Sequence, residues 1–218
     1  MAVLNKKRMN KQQVKEKVVR VAAKSFMQKG IKNVKMDDIA TELAISKRTL
    51  YELYSDKEDL LLEVVKLHRE DMKQYMLSIA AKAENVLEII MKFYVKTTED
   101  FQTTNVLFFK DIKKYPQVTK FLEEGRKENA ASTIAFYQRG VEQGIFRADV
   151  NYDIIQEVIH TQMDVLMHSD LCQKYSIPEV FKTVVFMHLR GISTERGLEI
   201  VDEFLTRMSE TQKNKNIK

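Results

Sequence analysis

Glycine and proline are scarce in this chain, and their scarcity constrains the fold more than any other feature of the sequence. Only six glycines and two prolines occur among 218 residues. The long stretches between them are rich in Ala, Leu, Lys, Glu, Met and Gln, which favour the helix. No segment shows the alternation between tight turns that is typical of β-strands. The sequence therefore predicts an all-α protein.

Basic residues are concentrated at the N-terminus. Residues 1–57 contain 14 Lys and Arg against 6 Asp and Glu, which gives a net charge of +8. Residues 58–218 contain 22 basic and 25 acidic residues, a net charge of −3. This asymmetry suggests a negatively charged partner, either nucleic acid or a membrane surface, although a solvated lysine-rich face has the same composition.

The chain carries no signal for a membrane or for secretion. No apolar run approaches the roughly 18–20 residues that span a bilayer, and the N-terminus lacks the apolar centre of a secretory signal. The single cysteine, Cys172, excludes an internal disulfide and fits a reducing compartment. We therefore expect a cytoplasmic protein without a membrane partner, in which Cys172 is an inert packing residue.

Cap signals predict two helices in the first 43 residues. Asn10 is a good N-cap with Gln13 three positions later, and apolar residues then recur at helical spacing until Gly30 stops the helix. A short second helix is predicted over residues 36–43. Asp37 in its first turn suits the helix dipole.

A third helix follows after a tight turn. Ser46 is predicted to cap it, and the two short helices after a longer bracing helix have the plan of a helix-turn-helix. The N-terminal residues of its second helix lie nearest the bases in such a motif, and here these are Lys47 and Arg48. Both side chains can donate to guanine O6 and N7 or pair with phosphate.

The start of the fourth helix is a candidate anion site. Ser55 and Glu58 have the spacing of a capping box, which predicts a helix that begins beside Ser55. Lys57 and the backbone N–H groups of the first turn would together attract a phosphate.

Three segments, AAKSFMQKG, DDIATELAIS and KRTLYELYSDKEDLL, combine these signals at specific spacings. In this combination residues 14–65 resemble the DNA-binding domain of the TetR/AcrR family of bacterial transcriptional regulators. The resemblance implies that Thr49 and Tyr51 contact the DNA backbone or adjoining base edges, and that Lys57 holds a phosphate. The candidate DNA-binding residues are Lys35, Lys47, Arg48, Thr49, Tyr51 and Lys57.

Four positions depart from the family pattern. Lys35 stands where a Ser or Thr often caps the second helix, which weakens the cap, although lysine can itself meet a phosphate. Ala44 replaces the usual turn glycine, so the turn is expected to avoid a strongly positive φ. Arg48 replaces a commonly small residue, which predicts an unusual base preference. Tyr54 takes the place of a core Phe.

Two C-terminal helices carry apolar residues over more of their circumference than a single buried face would cover. One is predicted over residues 153–171, and the next is opened by Pro178 at a favoured first-turn position. Apolar residues cover so much of both that they must be buried on more than one side. They could form the middle of one core or pack against a second copy, and the resemblance implies a four-helix interface in a homodimer. The candidate interface residues are Val158, Val165, Val184 and Phe186.

Aromatic and methionine side chains in the middle helices are candidates for a ligand pocket. Each alone is an ordinary core residue, but the set could line a cavity for a small-molecule effector. The candidate pocket residues are Phe93, Tyr94, Phe108, Phe109, Tyr137 and Met163.

No catalytic residue, metal site or cofactor is predicted. His160, Asp164 and His168 follow each other at intervals of four, and paired histidines at this spacing can bind zinc. Two turns between the histidines give poor geometry and no fourth ligand is evident, so these histidines are interpreted as exposed or interface residues.

The combined interpretation is an all-α homodimeric transcriptional regulator. Residues 1–57 are expected to form the helix-turn-helix domain that binds a palindromic double-stranded operator, and residues 58–218 the domain for dimerisation and an unidentified effector. The family favours a repressor over an activator. Two alternatives stay open: a helical-bundle enzyme, for which the paired E-x-x-H motif is missing, and a membrane-surface protein, which needs an exposed amphipathic helix.

Overall fold

The computed structural model describes residues 10–216, apart from the side chains at 167, 168 and 212–216. Within this range the chain is all-α, as predicted, and its β-structure is limited to an isolated bridge between Phe146 and Ser193. The helices are α1 Lys11–Lys29, α2 Met36–Glu42, α3 Lys47–Leu53, α4 Lys57–Ala80, α5 Val86–Gln102, α6 Val106–Ile112, α7 Pro116–Glu142, α8 Tyr152–His168, α9 Leu171–Lys174, α10 Ile177–Ile192 and α11 Glu195–Asn216. In the described range no helix is both long and apolar enough to cross a bilayer.

The predicted caps of α1 and α3 are confirmed. Asn10 Oδ1 accepts from the backbone N–H of Gln13 at 2.8 Å, and Gln13 Oε1 accepts from the N–H of Asn10 at 3.0 Å. Ser46 Oγ accepts from the N–H of Thr49 at 3.0 Å. Gly30 ends α1 with φ of 82° and donates its N–H to Phe26. These caps satisfy helix-end donors that would otherwise lack partners.

The cap of α4 differs from the prediction. Its N-cap is Asp56, whose Oδ1 accepts from the N–H of Asp59 at 2.8 Å, and Asp59 in turn accepts from the N–H of Ser55 at 3.0 Å. Glu58 accepts from the N–H of Gln117 at the start of α7. The carboxylate of Asp56 is a good N-cap, so the helix begins one residue later than the pair of Ser55 and Glu58 indicates.

The turn between α2 and α3 also differs. Ala44 has φ of +51°, and among the described residues it is the sole non-glycine residue in the left-handed region. Its N–H donates to the carbonyl of Thr41, and the N–H of Ile45 donates to that of Ala40. These two bonds form a Schellman motif, which requires a left-handed residue at this position whatever its side chain. The expectation that alanine avoids positive φ was therefore wrong.

The chain divides into two compact units. Among the described residues, the first unit contains residues 10–72 together with Leu107–Leu122, and the second contains Lys73–Val106 and residues 123–216. The first core reaches beyond residue 57, where the sequence placed a boundary, because Leu60, Leu61 and Val64 of α4 are buried in it.

The core of the first unit holds the helix-turn-helix together. Buried apolar residues from α1, α2, α3, α4, α6 and α7 form one cluster around Phe26, Ile39 and Leu50. Tyr54 lies in this core, as predicted, and burial raises the pKa of its hydroxyl to about 12. The ammonium of Lys15 lies 5.6 Å from the centre of the Tyr54 ring, which ties α1 to the end of α3.

The second unit has a separate aromatic core. Tyr94 of α5 stacks on Phe181 at a centroid distance of 5.6 Å and meets the edge of Phe186 at 5.0 Å. Both phenylalanines belong to α10, which packs against α5, α8 and α11. The helix predicted over residues 153–171 is α8, which ends at His168 because Ser169 has an extended conformation, and the short α9 follows it.

Candidate functional site

The outer face of α3 is an exposed basic surface of the helix-turn-helix. The side chain of Arg48 is 88% exposed and that of Lys47 is 67% exposed. Tyr51, one turn after Lys47, is 49% exposed, whereas Leu50 on the opposite face is fully buried. The buried Leu50 fixes the orientation of α3, so that the three exposed residues lie on its outward side.

Both basic side chains of α3 form ion pairs at the surface. The Lys47 ammonium pairs with Asp37 of α2, and Arg48 Nε donates to Glu52 Oε1 at 2.8 Å. The hydrogen bond that each basic group donates to its acidic partner raises the pKa of that basic group. Exposed pairs of this kind are weak, because solvent screens both charges. A phosphate or a guanine edge could replace either carboxylate at little cost.

The two remaining candidates of the helix-turn-helix lie at helix N-termini. Thr49 is only partly exposed to a ligand, and Lys35 is a weak cap. The hydroxyls of Thr49 and Ser46 lie 2.8 Å apart, so half-buried Thr49 takes part in the cap of α3. Lys35 precedes α2, and its exposed side chain cannot accept a hydrogen bond from the first turn. Only one of the two bonds of a capping box therefore forms, in which the N–H of Lys35 donates to Asp38 Oδ2 at 2.8 Å. The prediction of an incomplete cap at Lys35 agrees with this geometry.

Lys57 contacts backbone rather than solvent alone. Its ammonium donates to the carbonyl oxygens of Ile31 at 3.1 Å and Lys32 at 3.4 Å, in the loop between α1 and α2. Burial lowers the pKa of Lys57, while the charges of Asp111 and Asp38 act in the opposite direction. An ammonium has three donors, so one can still reach a phosphate while the other two hold the loop.

The six candidate pocket residues belong to two different cores. Phe108 and Phe109 pack in the first unit, where their rings meet edge to face at 5.5 Å. Phe93, Tyr94, Tyr137 and Met163 pack in the core of the second unit. The predicted set therefore divides, because α6 contributes to the helix-turn-helix core and not to the C-terminal core.

Two depressions lie on the second unit, and none of the six candidates lines either of them. One follows the exposed side of α8. The other, of about 440 Å³, lies among the end of α4, α5 and α11, with Met91 and Phe204 in its lining and Glu88 and Arg207 among its charged residues.

The apolar surface of α8 lies where a partner chain could reach it, but half of the candidate interface does not. Ile154, Val158 and Val165 are 59%, 45% and 59% exposed and lie along one side of the helix. Val184 and Phe186 of α10 are only 5% and 7% exposed, because they pack inside the second unit. These two side chains are therefore not available to a partner, and Met187, at 52% exposure, is the apolar residue that α10 presents.

The two described histidines of α8 and α10 differ, because His188 is held between helices whereas the side chain of His160 is exposed, in agreement with the prediction. His188 Nε2 of α10 lies 2.7 Å from Gln162 Oε1 of α8, and burial lowers the pKa of His188. Partial desolvation, together with the charge of Arg126, also lowers the pKa of His160. The side chain of His168 lies outside the described residues. Among those that are described, no group of three or more His, Cys, Asp or Glu is placed to hold a metal ion.

Comparison with known proteins finds similarity to transcriptional regulators. Residues 18–64 match the family model for bacterial regulatory proteins of the tetR family. The uncharacterized HTH-type transcriptional regulator YvaF of Bacillus subtilis (strain 168) is 27% identical over 81% of this chain and 95% of that protein. The HTH-type transcriptional repressor KstR2 of Mycolicibacterium smegmatis is 25% identical over 66% of this chain and 73% of that protein.

The fold is shared with solved regulators along nearly the whole of their chains. A transcriptional regulator from Saccharomonospora viridis, solved in complex with choline, superimposes with a TM-score of 0.69 at 17% identity. That match covers 84% of this chain and 100% of the other. The helix-turn-helix therefore matches that of the tetR family of bacterial regulatory proteins, and the fold of the chain is similar to that of solved transcriptional regulators.

Proposed function

We propose that this regulator is a repressor which binds a palindromic operator as a homodimer and leaves it when a small molecule binds. The observation that carries DNA recognition is the outward face of α3, where Lys47, Arg48 and Tyr51 are exposed while Leu50 anchors the helix in the core. This face fits the major groove, with the basic residues of the first turn nearest the bases.

The roles of the exposed residues follow from their chemistry. Arg48 can donate two parallel hydrogen bonds to guanine, so it is the candidate for reading a base. Tyr51 and Lys57 can each meet a phosphate, which positions the protein but carries no sequence information. Thr49 and Lys35 are candidates for further contacts to the DNA backbone at the edges of the helix-turn-helix.

The homodimer is supported by the exposed apolar side of α8. Ile154, Val158 and Val165 expose more apolar surface on one helix side than a monomer commonly does, and Met187 of the neighbouring α10 is exposed as well. A second copy that packs the same surface against this one covers it by two-fold symmetry. Two recognition helices then address half-sites about one helical turn apart, or a small multiple of that distance.

Release by a small molecule is supported by the depression among α4, α5 and α11 of the second unit and by one structural neighbour. The neighbour from Saccharomonospora viridis was solved in complex with choline. An effector that weakens DNA binding must itself bind the DNA-bound protein more weakly by the same factor, about 5–150-fold for typical couplings. Titrating a compound that stabilises the free protein, with and without operator, tests this reciprocity.

The DNA-binding proposal is tested with variants of α3 on a duplex that the wild-type protein enriches from random DNA. Arg48→Ala should relax the preference at one position in each half-site, with about a tenfold or greater loss on the preferred base. Tyr51→Phe should weaken binding to every sequence alike. A uniform loss for Arg48→Ala, or a base-specific loss for Tyr51→Phe, would reverse these assignments.

The membrane-surface alternative is distinguished in the same binding assay. Anionic lipid vesicles should fail to displace the protein from its duplex, because α1 buries its apolar side in the first core and presents no wide apolar face. Vesicles that compete as well as unlabelled duplex would support the membrane alternative instead.

A further inference from the structure

One peptide group links a buried acid of α6 to the base at the start of α4. The N–H of Lys32 donates to Asp111 Oδ2 at 2.8 Å, and the carbonyl of Ile31 accepts from Lys57 Nζ at 3.1 Å. This N–H and this C=O belong to the same peptide bond. In a trans peptide they point in opposite directions, so the carboxylate lies on one side of the peptide and the ammonium on the other.

The charges on the two sides suit the dipole of the peptide. The negative carboxylate faces the N–H and the positive ammonium faces the carbonyl, so each hydrogen bond polarises the peptide in favour of the other. Lys57 also donates to the next carbonyl, that of Lys32, at 3.4 Å. The loop between α1 and α2 therefore fixes the Lys57 side chain through two acceptors.

Asp111 is well placed to hold this arrangement. It is a buried carboxylate, 5% exposed, and its second oxygen accepts from Lys114 Nζ at 2.7 Å. Burial alone would raise its pKa, but the hydrogen bonds from Lys114 and from the N–H of Lys32 outweigh it, and the pKa is lowered. The carboxylate thus stays charged at neutral pH.

The backbone allows α6 to come this close only because residue 30 is glycine. A Cβ at Gly30 would lie 2.7 Å from Leu107 Cβ and 3.5 Å from Asp111 Oδ2, and its φ of +82° is one that other residues rarely adopt. The close approach of α6 to this loop is therefore built into the first unit.

We propose that Asp111 is a positioning residue for DNA binding, which holds the Lys57 ammonium at the start of α4 through the peptide group between Ile31 and Lys32. The proposal rests on the proposed function, in which Lys57 meets a phosphate. Asp111 itself touches no DNA, and it acts through the position of Lys57. Loss of Asp111 frees the loop, and the phosphate contact of Lys57 is lost with it.

The test compares Asp111→Ala, Lys57→Ala and the double variant by fluorescence anisotropy, on a duplex that the wild-type protein enriches from random DNA. Each single variant should bind at least about tenfold more weakly at moderate salt, because a charge-assisted contact is lost. The slope of log affinity against log salt should fall by about 0.9 per chain, the value for one phosphate. The double variant should be no worse than Lys57→Ala alone, because both changes remove the same contact.

Two controls separate positioning from general stability. Lys114→Ala removes the other partner of Asp111 but leaves the bond to Lys32, so the salt slope should stay at the wild-type value. Val118→Ala truncates a fully buried core residue of the same unit and should lower the melting temperature without changing the slope. Asp111→Asn can still accept from Lys32 and should recover most of the slope that Asp111→Ala loses.

A measurement without DNA keeps the test decisive if Asp111→Ala fails to fold. In Asp111→Asn the Lys57 amine, followed by NMR, should titrate at lower pH than in the wild-type protein, since a nearby negative charge is gone. An unchanged Lys57 titration overturns the proposal, as does an unchanged salt slope in folded Asp111→Ala. If the wild-type protein enriches no duplex, the proposed function fails and this role for Asp111 fails with it.

Discussion

Replacing Ala44 by glycine should make the protein more stable, which is unusual for a substitution in a short turn. Ala44 has φ of +51° at the left-handed position of the Schellman motif that ends α2. A side chain in this conformation costs roughly 1–2 kcal/mol through the contact of its Cβ with the following carbonyl. Glycine removes that contact and keeps both backbone hydrogen bonds of the motif.

The gain is reduced by the greater freedom of glycine in the unfolded chain. That freedom costs about 0.4–1 kcal/mol, so the net stabilisation should lie within about 0–1.6 kcal/mol and is expected near its middle, at roughly 0.8 kcal/mol. Urea unfolding followed by circular dichroism should show a higher midpoint for Ala44→Gly with an unchanged slope. Both proteins must be compared at one concentration, since association with a second copy would also shift the midpoint.

The matched control makes the same substitution inside a helix. Ala40 lies in α2, four residues before Ala44, and its replacement by glycine should cost about 1 kcal/mol or more, because glycine disfavours the helix and leaves a small gap in the core. If Ala44→Gly lowers the urea midpoint as Ala40→Gly does, the left-handed conformation of Ala44 carries no strain and the reasoning is refuted.

Two further substitutions test the second unit. Val158→Asp should give a monomer in sedimentation, because burying an unpaired charge in an apolar interface costs several kcal/mol. The control Leu77→Asp, at a 56% exposed site on α4, should stay dimeric. A dimeric Val158→Asp protein would exclude α8 as the interface. Burial lowers the pKa of His188 below the ordinary 6.5, so the unfolded chain binds more protons and stability should fall as the pH falls below about 6.5. His188→Asn should flatten that part of the stability curve, and an equally steep decline in the variant would show that His188 is not the group responsible.

Local signals predicted the helices of the first unit well, because the partners of a cap are close in sequence. The box of Asn10 and Gln13 and the cap of Ser46 each join residues three apart, so the sequence contains both partners. The cap of α4 was misassigned because two overlapping pairs, Ser55 with Glu58 and Asp56 with Asp59, have the same spacing. Only the geometry distinguishes them.

Contacts between residues that are far apart in the chain could not be predicted from the sequence. Asp111 lies 79 residues from Lys32, its hydrogen-bond partner, and nothing in the local pattern of α6 marks it as part of the helix-turn-helix. The same limitation affected Phe108, which was grouped with C-terminal aromatics by its place in the chain but packs in the first core. Apolar periodicity showed that α10 is buried on several sides, but it did not show that Val184 faces its own unit.

Selection of bound sequences from random duplex DNA, at physiological salt, is the most direct test of the central claim that the outward face of α3 reads an operator. The account predicts enrichment of two half-sites related by two-fold symmetry, with centres about one helical turn or a small multiple apart. It also predicts that Arg48→Ala, selected in parallel, loses the preference at one position in each half-site. Recovery of no common sequence, or an identical sequence from Arg48→Ala, would contradict it.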